Sequence, residues 1–375
     1  MSETTMKRPL LLIFSGYNPR AVIAFLRTLT LHHIDYAIIA KSQEDAIFLS
    51  AYAPQVLAVR KKKELDIEDI KNCLDLIKEK QPASSYVVAP STEALNRFFL
   101  ENRHYFESLS VEIPLVDERL YATVSDKKSF SELCRLNGLA IPTEYQSLEQ
   151  AALPFVAKPM EYTGCDKKIF SPVLIYSDAD KKEFNKNYPI QDFYFQTLVK
   201  GQSYYLLYYF AQGGDVYKFS QKNIAQQPQG KSMVAALPAT LHHDEISKKY
   251  EALLKKIGFH GLIMVEIIEK EEGGYVMIEA NPRFWGPSQL FVDNGMNFFE
   301  PFLYDLGLLP MKPSLSPASF PHPYFWYGGI ALTRKEGKEI VMHCPNDIET
   351  HPEKWLPYDI YRREDTLAIF HEETK

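Results

Sequence analysis

The first 124 residues alternate short apolar runs with helical patterns, and no other feature of the chain restricts its fold so much. Leu10 to Phe14, Tyr36 to Ala40, Val56 to Val59 and Tyr86 to Ala89 are strand-length and apolar. Between them Val22, Phe25, Leu26 and Leu29 recur at helical spacing, as do Ile67, Ile70, Leu74 and Ile77. Apolar strands joined by helices suit a parallel sheet covered on both faces. Asn18 and Pro19 fit the N-cap and first turn of the first helix. Pro82 lies just past the end of the second, and Pro90 to Glu93 open a third. Residues 1–124 are therefore expected to form an α/β domain with a parallel sheet. Gly16 stands alone after the first strand, which argues against the G-x-G-x-x-G loop of a nicotinamide-linked dehydrogenase.

Ser125 and Asp126 are expected to cap a helix carrying Phe130, Leu133, Cys134 and Leu136, stopped at Asn137 and Gly138. Beyond Pro142 the texture becomes hairpin-like, with strands expected at Phe155–Lys158, Ile169–Ile175, Phe193–Val199, Tyr204–Ala211 and Val216–Ser220. Gln221 to Ala236, rich in Gln, Gly and Lys, reads as a long loop. Ile246, Tyr250, Leu253, Leu254 and Ile257 mark an amphipathic helix stopped by Gly258, and strands follow at Leu262–Ile268 and Tyr275–Ala280. The tail after residue 306 is rich in proline and ends in a strand-like stretch from Thr366 to Phe370.

The segment from Met264 to Arg283 carries the clearest chemistry. With Glu271 to Gly274 as the turn between antiparallel strands, Glu266 and Glu279 face each other. Met264, Ile268 and Met277 are the expected apolar neighbours on that face. Two carboxylates opposite each other on an apolar face repel, and a divalent cation between them removes the penalty. Asn281 projects to the same side and adds a neutral oxygen, and Arg283 adds a fixed positive charge suited to an anionic oxygen. An oxygen-only set with few protein groups suits Mg²⁺ (or Mn²⁺), which keeps waters and shares phosphate oxygens. Phosphate in turn needs cations. Lys158 ends a strand, Lys127 and Lys128 stand at a helix start where the macrodipole disfavours them, and Lys222 and Lys231 lie in the Gln-rich stretch.

Taken in order, these pieces resemble the ATP-grasp superfamily. The matching residues are Asp126 and Lys127 before a helix ending at Gly138, with Ile141 and Pro142 after it; Val156 to Pro159; Gln196 to Val199 with Gly201; and Glu266 with Glu279, Asn281 and Arg283. The run Asn281 to Gly286, followed by Asn294 to Asn297, is similar to the branch that includes carbamoyl phosphate synthetase and ATP-dependent carboxylate–amine ligases. The resemblance implies an α+β fold of two lobes holding ATP between them. Residues 125–200 would be the small lobe, 201–305 the large lobe, and 306–375 a C-terminal extension packed on the large lobe. It implies that Lys127 and Lys158 contact ATP phosphates, with Lys222 and Lys231 near them. Gln196, Thr197, Leu198 and Val199 would form the adenine hinge, with backbone groups of Thr197 and Val199 as partners. Gln202 falls near the ribose, in place of the usual acid. Glu266, Glu279 and Asn281 would hold Mg²⁺, and Arg283 would meet the transferring phosphoryl group. Met160 to Cys165 would cover the phosphates with one glycine where relatives often carry several. Ser15 to Asn18, Ser91 to Glu93 and the region of Trp285 would face the acceptor, since open α/β sheets bind ligands at strand ends.

The implied reaction joins a small-molecule carboxylate to an amine through an acyl phosphate, with ADP and phosphate released. A kinase or carboxylase with another acceptor, or a nucleotide-binding regulator without turnover, would carry a similar nucleotide site. The net charge of −6 argues against nucleic-acid binding by broad phosphate neutralisation. No apolar run approaches the roughly 18 residues that span a bilayer. Lys7 and Arg8 precede too short an apolar run for a secretory segment. Cys73, Cys134, Cys165 and Cys344 form no metal-binding spacing. These features fit a cytoplasmic protein, with a homodimer allowed. His32 with His33 and His242 with His243 read as solvated pairs.

Overall fold

The computed structural model describes residues 9–163, 168–348 and 350–375. Lys7, Arg8, Gly164 and Cys165 lie outside the described residues. The N-terminal segment forms β1 (Leu10–Phe14), β2 (Tyr36–Ala40), β3 (Val56–Val59), β4 (Tyr86–Val88) and β5 (Val111–Glu112). They make one parallel sheet in the order β3-β2-β1-β4-β5. Its helices include α1 (Pro19–Leu31), α2 (Ile67–Lys80), α3 (Glu93–Glu101), α4 (Arg103–Ser108) and α5 (Glu118–Ser125). All five residues of β1 are buried, as a central strand covered on both faces demands.

Helix α6 (Lys127–Leu136) leads into a four-stranded antiparallel sheet of β6 (Glu144–Tyr145), β7 (Phe155–Pro159), β8 (Val173–Ile175) and β9 (Phe193–Thr197), in the order β6-β9-β7-β8. Its small core gathers Phe155, Phe184 and Phe195. The second antiparallel sheet contains β10 (Gly201–Phe210), β11 (Val216–Gln226), β12 (Met233–Ala239), β13 (Gly261–Lys270), β14 (Tyr275–Asn281), β15 (Tyr324–Phe325) and β16 (Val341–Met342). The α/β N-terminal domain is thus followed by an α+β region built on two antiparallel sheets.

Several sequence expectations need correction. Gln221 to Ala236 is mostly sheet: β11 runs to Gln226, β12 starts at Met233, and the two pair with a bulge at Asn223 to Ala225. The strand expected from Ile169 is confined to Val173–Ile175. Thr366 to Phe370 belongs to a helix start, Leu367–Glu373. Asn18 occupies the N-cap of α1 with φ 50° but does not cap it. Its amide bridges the carbonyls of Ser91 (3.1 Å) and Phe284 (3.0 Å) instead. Asp126 likewise turns its carboxylate to Arg97, at 2.6 Å from Nη2, rather than capping α6.

The N-terminal domain and the large sheet share continuous cores. Phe25 of α1 packs on Phe284 and Phe299 with ring centroids 5.0 and 4.9 Å apart. Truncating so buried an aromatic side chain costs about 3–5 kcal/mol. The C-terminal segment is tied to α1 by the Arg27–Asp365 ion pair at 2.8 Å and adds β15 to β12. No helix among the described residues is long and apolar enough to cross a membrane. His242 is buried beside the Phe219 ring and bonded to Ser220, while His32 pairs with Glu300 at 3.0 Å. His242 is thus not solvated and His32 is only part-exposed, while His33 and His243 are exposed as the sequence suggested.

Candidate active site

Glu266 on β13 pairs with Glu279 on β14, as the sequence implies. The register is less simple. From Glu269 and Tyr275 to Ile267 and Met277 the pairing is offset by one residue, and a bulge restores it at the glutamates. Ile278 is the extra residue, so Met277 falls into the core on the opposite face, with Val265 and Ile267. Met277 is therefore not a neighbour of the carboxylates. Bulges re-aim side chains and free a backbone group, and here the carbonyl of Ile278 accepts from Lys158 Nζ at 2.9 Å.

The two carboxylates live in different fields. Glu266 accepts from Ser203 Oγ at 2.8 Å. Ser203 accepts in turn from Asn223 Nδ2 at 2.7 Å, and Asn223 Oδ1 accepts from Gln221 Nε2 at 2.8 Å. Burial, followed by the charge of Glu279, pushes the Glu266 carboxyl up. Burial would also raise Glu279, but the charge and hydrogen bond of Lys127, with Asn281 and Arg283 beyond, outweigh it and hold Glu279 below its usual range. Asn281 donates to Glu279 Oε1 at 2.8 Å and accepts from Arg283 Nη2 at 2.9 Å. Burial and then the nearby charge of Lys127 push Lys158 down to about 8, against the pull of Glu279, Glu266 and Glu144.

Two carboxylates and an amide oxygen on facing strands form an all-oxygen donor set suited to Mg²⁺. Among the described residues no cluster of three His, Cys, Asp or Glu side chains offers an alternative metal site. Among the described residues Arg283 Nε is buried without a hydrogen-bond partner, so the guanidinium retains a donor beyond its bonds to Asn281 and Phe284.

Not every expected residue joins this group. Strand alternation puts Lys222 in register with Tyr204, one step from Tyr205, the partner of Glu266. Lys222 thus stands on the opposite face of the sheet from the carboxylates. Gln202 shares that face and spends its amide on the carbonyls of Ser203 (2.9 Å) and Asn223 (2.7 Å). Lys231 is exposed on the turn between β11 and β12 but lines the larger of two cavities at the site, together with Glu279, Asn281 and Arg283. In the expected hinge Gln196 is buried, with its Nε2 3.3 Å from Glu144 Oε1 and its own Oε1 unpartnered among the described residues. The N–H groups of Thr197 and Leu198 are taken by the carbonyls of Thr143 (2.9 Å) and Pro154 (3.4 Å). The Thr197 N–H is therefore not available to a base, and among the described residues no backbone carbonyl engages the Val199 N–H.

Two cavities meet at this cluster. The smaller, about 290 Å³, is lined by Lys127, Pro159, Glu161 and Phe170 among others, and the larger, about 710 Å³, by Asn18, Arg20, Gln227 and Trp285 among others. Glu93, Tyr162, Glu279, Asn281 and Arg283 line both. Of the acceptor-facing segments expected from sequence, Gly16 to Asn18, Thr92, Glu93 and Trp285 line the larger cavity. Ser15 is bonded to Asp45 at 2.8 Å instead. Sequence reasoning missed the Ser203, Asn223 and Gln221 chain behind Glu266. The available signal was a serine inside the otherwise apolar and aromatic β10.

Residues 124–287 match the family profile described as an ATP-grasp domain. The chain carries an ATP-grasp domain there, and its architecture is that of ATP-grasp proteins. Among solved structures it is similar to Staphylococcus aureus N5-carboxyaminoimidazole synthetase complexed with ADP, with 14% identity, TM-score 0.62, and 94% of this chain and 98% of that chain covered. It is also similar to the L-amino acid ligase of Bacillus licheniformis, with 15% identity, TM-score 0.59, and coverage of 84% and 78%. A third is the biotin carboxylase domain dimer of Hydrogenobacter thermophilus 2-oxoglutarate carboxylase with MgADP and bicarbonate, with 12% identity, TM-score 0.59, and coverage of 82% and 72%. A search of curated proteins finds no match.

Proposed function

We propose that this chain is an ATP-dependent, ADP-forming ligase that joins a small-molecule carboxylate to an amine of the amino-acid or ammonia type. The observation that carries this reading is the meeting of two cavities at Glu279, Asn281 and Arg283. The smaller cavity, with Lys127 and Arg283 in its wall, would take phosphate groups, and the larger would take a separate acceptor. The similar solved structures include enzymes named as an L-amino acid ligase and as N5-carboxyaminoimidazole synthetase.

A carboxylate oxygen of the substrate forms a bond to the γ-phosphorus of ATP, and the bond from that phosphorus to the β-bridging oxygen breaks, releasing ADP. The amine nitrogen then attacks the acyl carbon. The bond to the phosphate oxygen breaks, phosphate leaves, and the surplus amine proton passes to the departing phosphate or to water. Phosphoryl transfer needs positioning and charge neutralisation more than covalent help from the protein. Arg283 would meet the transferring phosphoryl oxygens, Lys127 and Lys158 the phosphates, and the Val199 N–H the adenine. Glu266, Glu279 and Asn281 would hold Mg²⁺, which supplies charge neutralisation at the phosphate oxygens.

The test is ADP release on addition of carboxylate and amine pairs, followed with ¹⁸O-labelled carboxylate. Transfer of one label to inorganic phosphate is the expected result. Label retained wholly in the product would overturn the acyl phosphate.

A further inference from the structure

Arg20, the second residue of α1, is 7% exposed. Its Nη1 donates to the Met233 carbonyl at 2.9 Å and to the Tyr324 hydroxyl at 3.3 Å. Its guanidinium carbon stands 3.8 Å over the Trp326 ring. Trp326 is itself pinned by a bond from Nε1 to Glu373 Oε2 at 2.8 Å. Among the described residues no carboxylate forms an ion pair with Arg20, although buried charges are normally paired. Nor do Nη2 and Nε find protein acceptors among those residues, and Arg20 lines the larger cavity.

Two further observations converge on the same spot. The first turn of α1 has no side-chain cap and no acidic residue, so its partial positive charge is free to favour an anion. Gly286 forms the adjoining wall, and a Cβ there would come 3.1 Å from Arg20 Nη2. The glycine leaves that donor accessible. Glu279, Asn281 and Arg283 line the same cavity.

We propose that Arg20 anchors a carboxylate of the substrate other than the one that is phosphorylated, and that Tyr324, Trp326 and Glu373 of the C-terminal segment hold the anchor in place. This rests on the ligase reading of the cavity. The anchored carboxylate belongs either to an amino acid serving as the amine or to a dicarboxylate serving as the acid. Both present the same chemistry to a guanidinium, whose planar donors match a carboxylate.

The test titrates the full chain, with Mg·ADP present, with the twenty amino acids and the C4 to C6 dicarboxylates, each beside its carboxamide (monoamide for the diacids), by saturation-transfer NMR. Hydrogen bonds to charged groups are worth about 1.5–3 kcal/mol, so at least one free carboxylate is expected to bind about 30-fold tighter than its amide. The chemical family in which that preference falls distinguishes the two sources. R20Q should abolish the preference and leave Mg·ADP affinity unchanged. If R20Q fails to fold, G286A decides, because its methyl masks Nη2 and should reduce the same preference. Y324F should reduce it by a smaller factor. Equal binding of acid and amide, a preference that survives R20Q or is undiminished in G286A, or no bound carboxylate while Mg·ADP binds normally would overturn the proposal. Absence of Mg·ADP binding would overturn the ligase reading on which it rests.

Discussion

The ammonium of Lys158 lies 2.9 Å from the carbonyl oxygen of Ile278, the one residue that the bulge beside Glu279 leaves without a cross-strand partner. Lys158 belongs to the four-stranded sheet and Ile278 to the larger one, so this bond joins the two lobes at the candidate site. Burial has pushed Lys158 down to about 8, and its charge is therefore present at neutral pH and lost not far above it. Affinity for Mg·ADP is expected to fall as pH rises through 8 to 9. K158M should bind weakly throughout and show a flatter profile, measured by calorimetry between pH 7 and 9.5. An unchanged profile in the variant would detach Lys158 from the nucleotide.

Glu266 and Glu279 oppose each other, and Glu266 bears the cost of burial. E266Q keeps the shape and removes one charge. Without metal it should be as stable as the parent or more stable by about 1 kcal/mol, the scale of a cross-strand charge pair. Its Mg²⁺-dependent gain in nucleotide affinity should disappear. Denaturant midpoints in EDTA and calorimetry with Mg²⁺ check the two halves separately.

His242 and His343 are both pushed down to about 4, His242 by burial and then the charges of His243 and Lys218, His343 by burial. Their ordinary value is 6.5. Between these values the unfolded chain binds protons that the folded chain does not, so stability falls as pH drops from about 6.5 to 4. It is fully present above that window. The H242Q/H343Q double variant should show a shallower loss of urea midpoint between pH 7 and 4.5.

Gly201 opens β10 with φ 144°, and a Cβ there would collide with the carbonyl oxygen of Glu269 on β13. Both the conformation and the space demand glycine. G201A should lose about 2 kcal/mol or more of stability, read as a lower thermal midpoint.

The sequence exposed some of this and hid the rest for physical reasons. The facing glutamates were legible because side-chain alternation in a hairpin follows from the turn. The bulge was not, since an offset of one residue near Gly274 and one extra residue at Ile278 cancel at the pair itself. They do not cancel at Met277, which is why its face was misread. The strands around Lys222 were hidden because polar Gln and Asn residues usually mark loops. Here tertiary pairing with β10 and β12 fixes the strand conformation, and Gln221 and Asn223 serve the buried chain behind Glu266. No sequence pattern singles out Arg20, because its partner Tyr324 lies 304 positions away.

Glu279, with Glu266 and Asn281, is expected to couple a divalent cation to a nucleotide. The most direct measurement is calorimetric titration of ADP into the parent chain and E279Q, each with Mg²⁺ and with EDTA. The parent should bind at least tenfold tighter with Mg²⁺, or about 1.4 kcal/mol, and E279Q should lose that difference while keeping its circular dichroism. A folded E279Q that retains the full Mg²⁺ effect, or a parent chain that binds no nucleotide, would contradict the account.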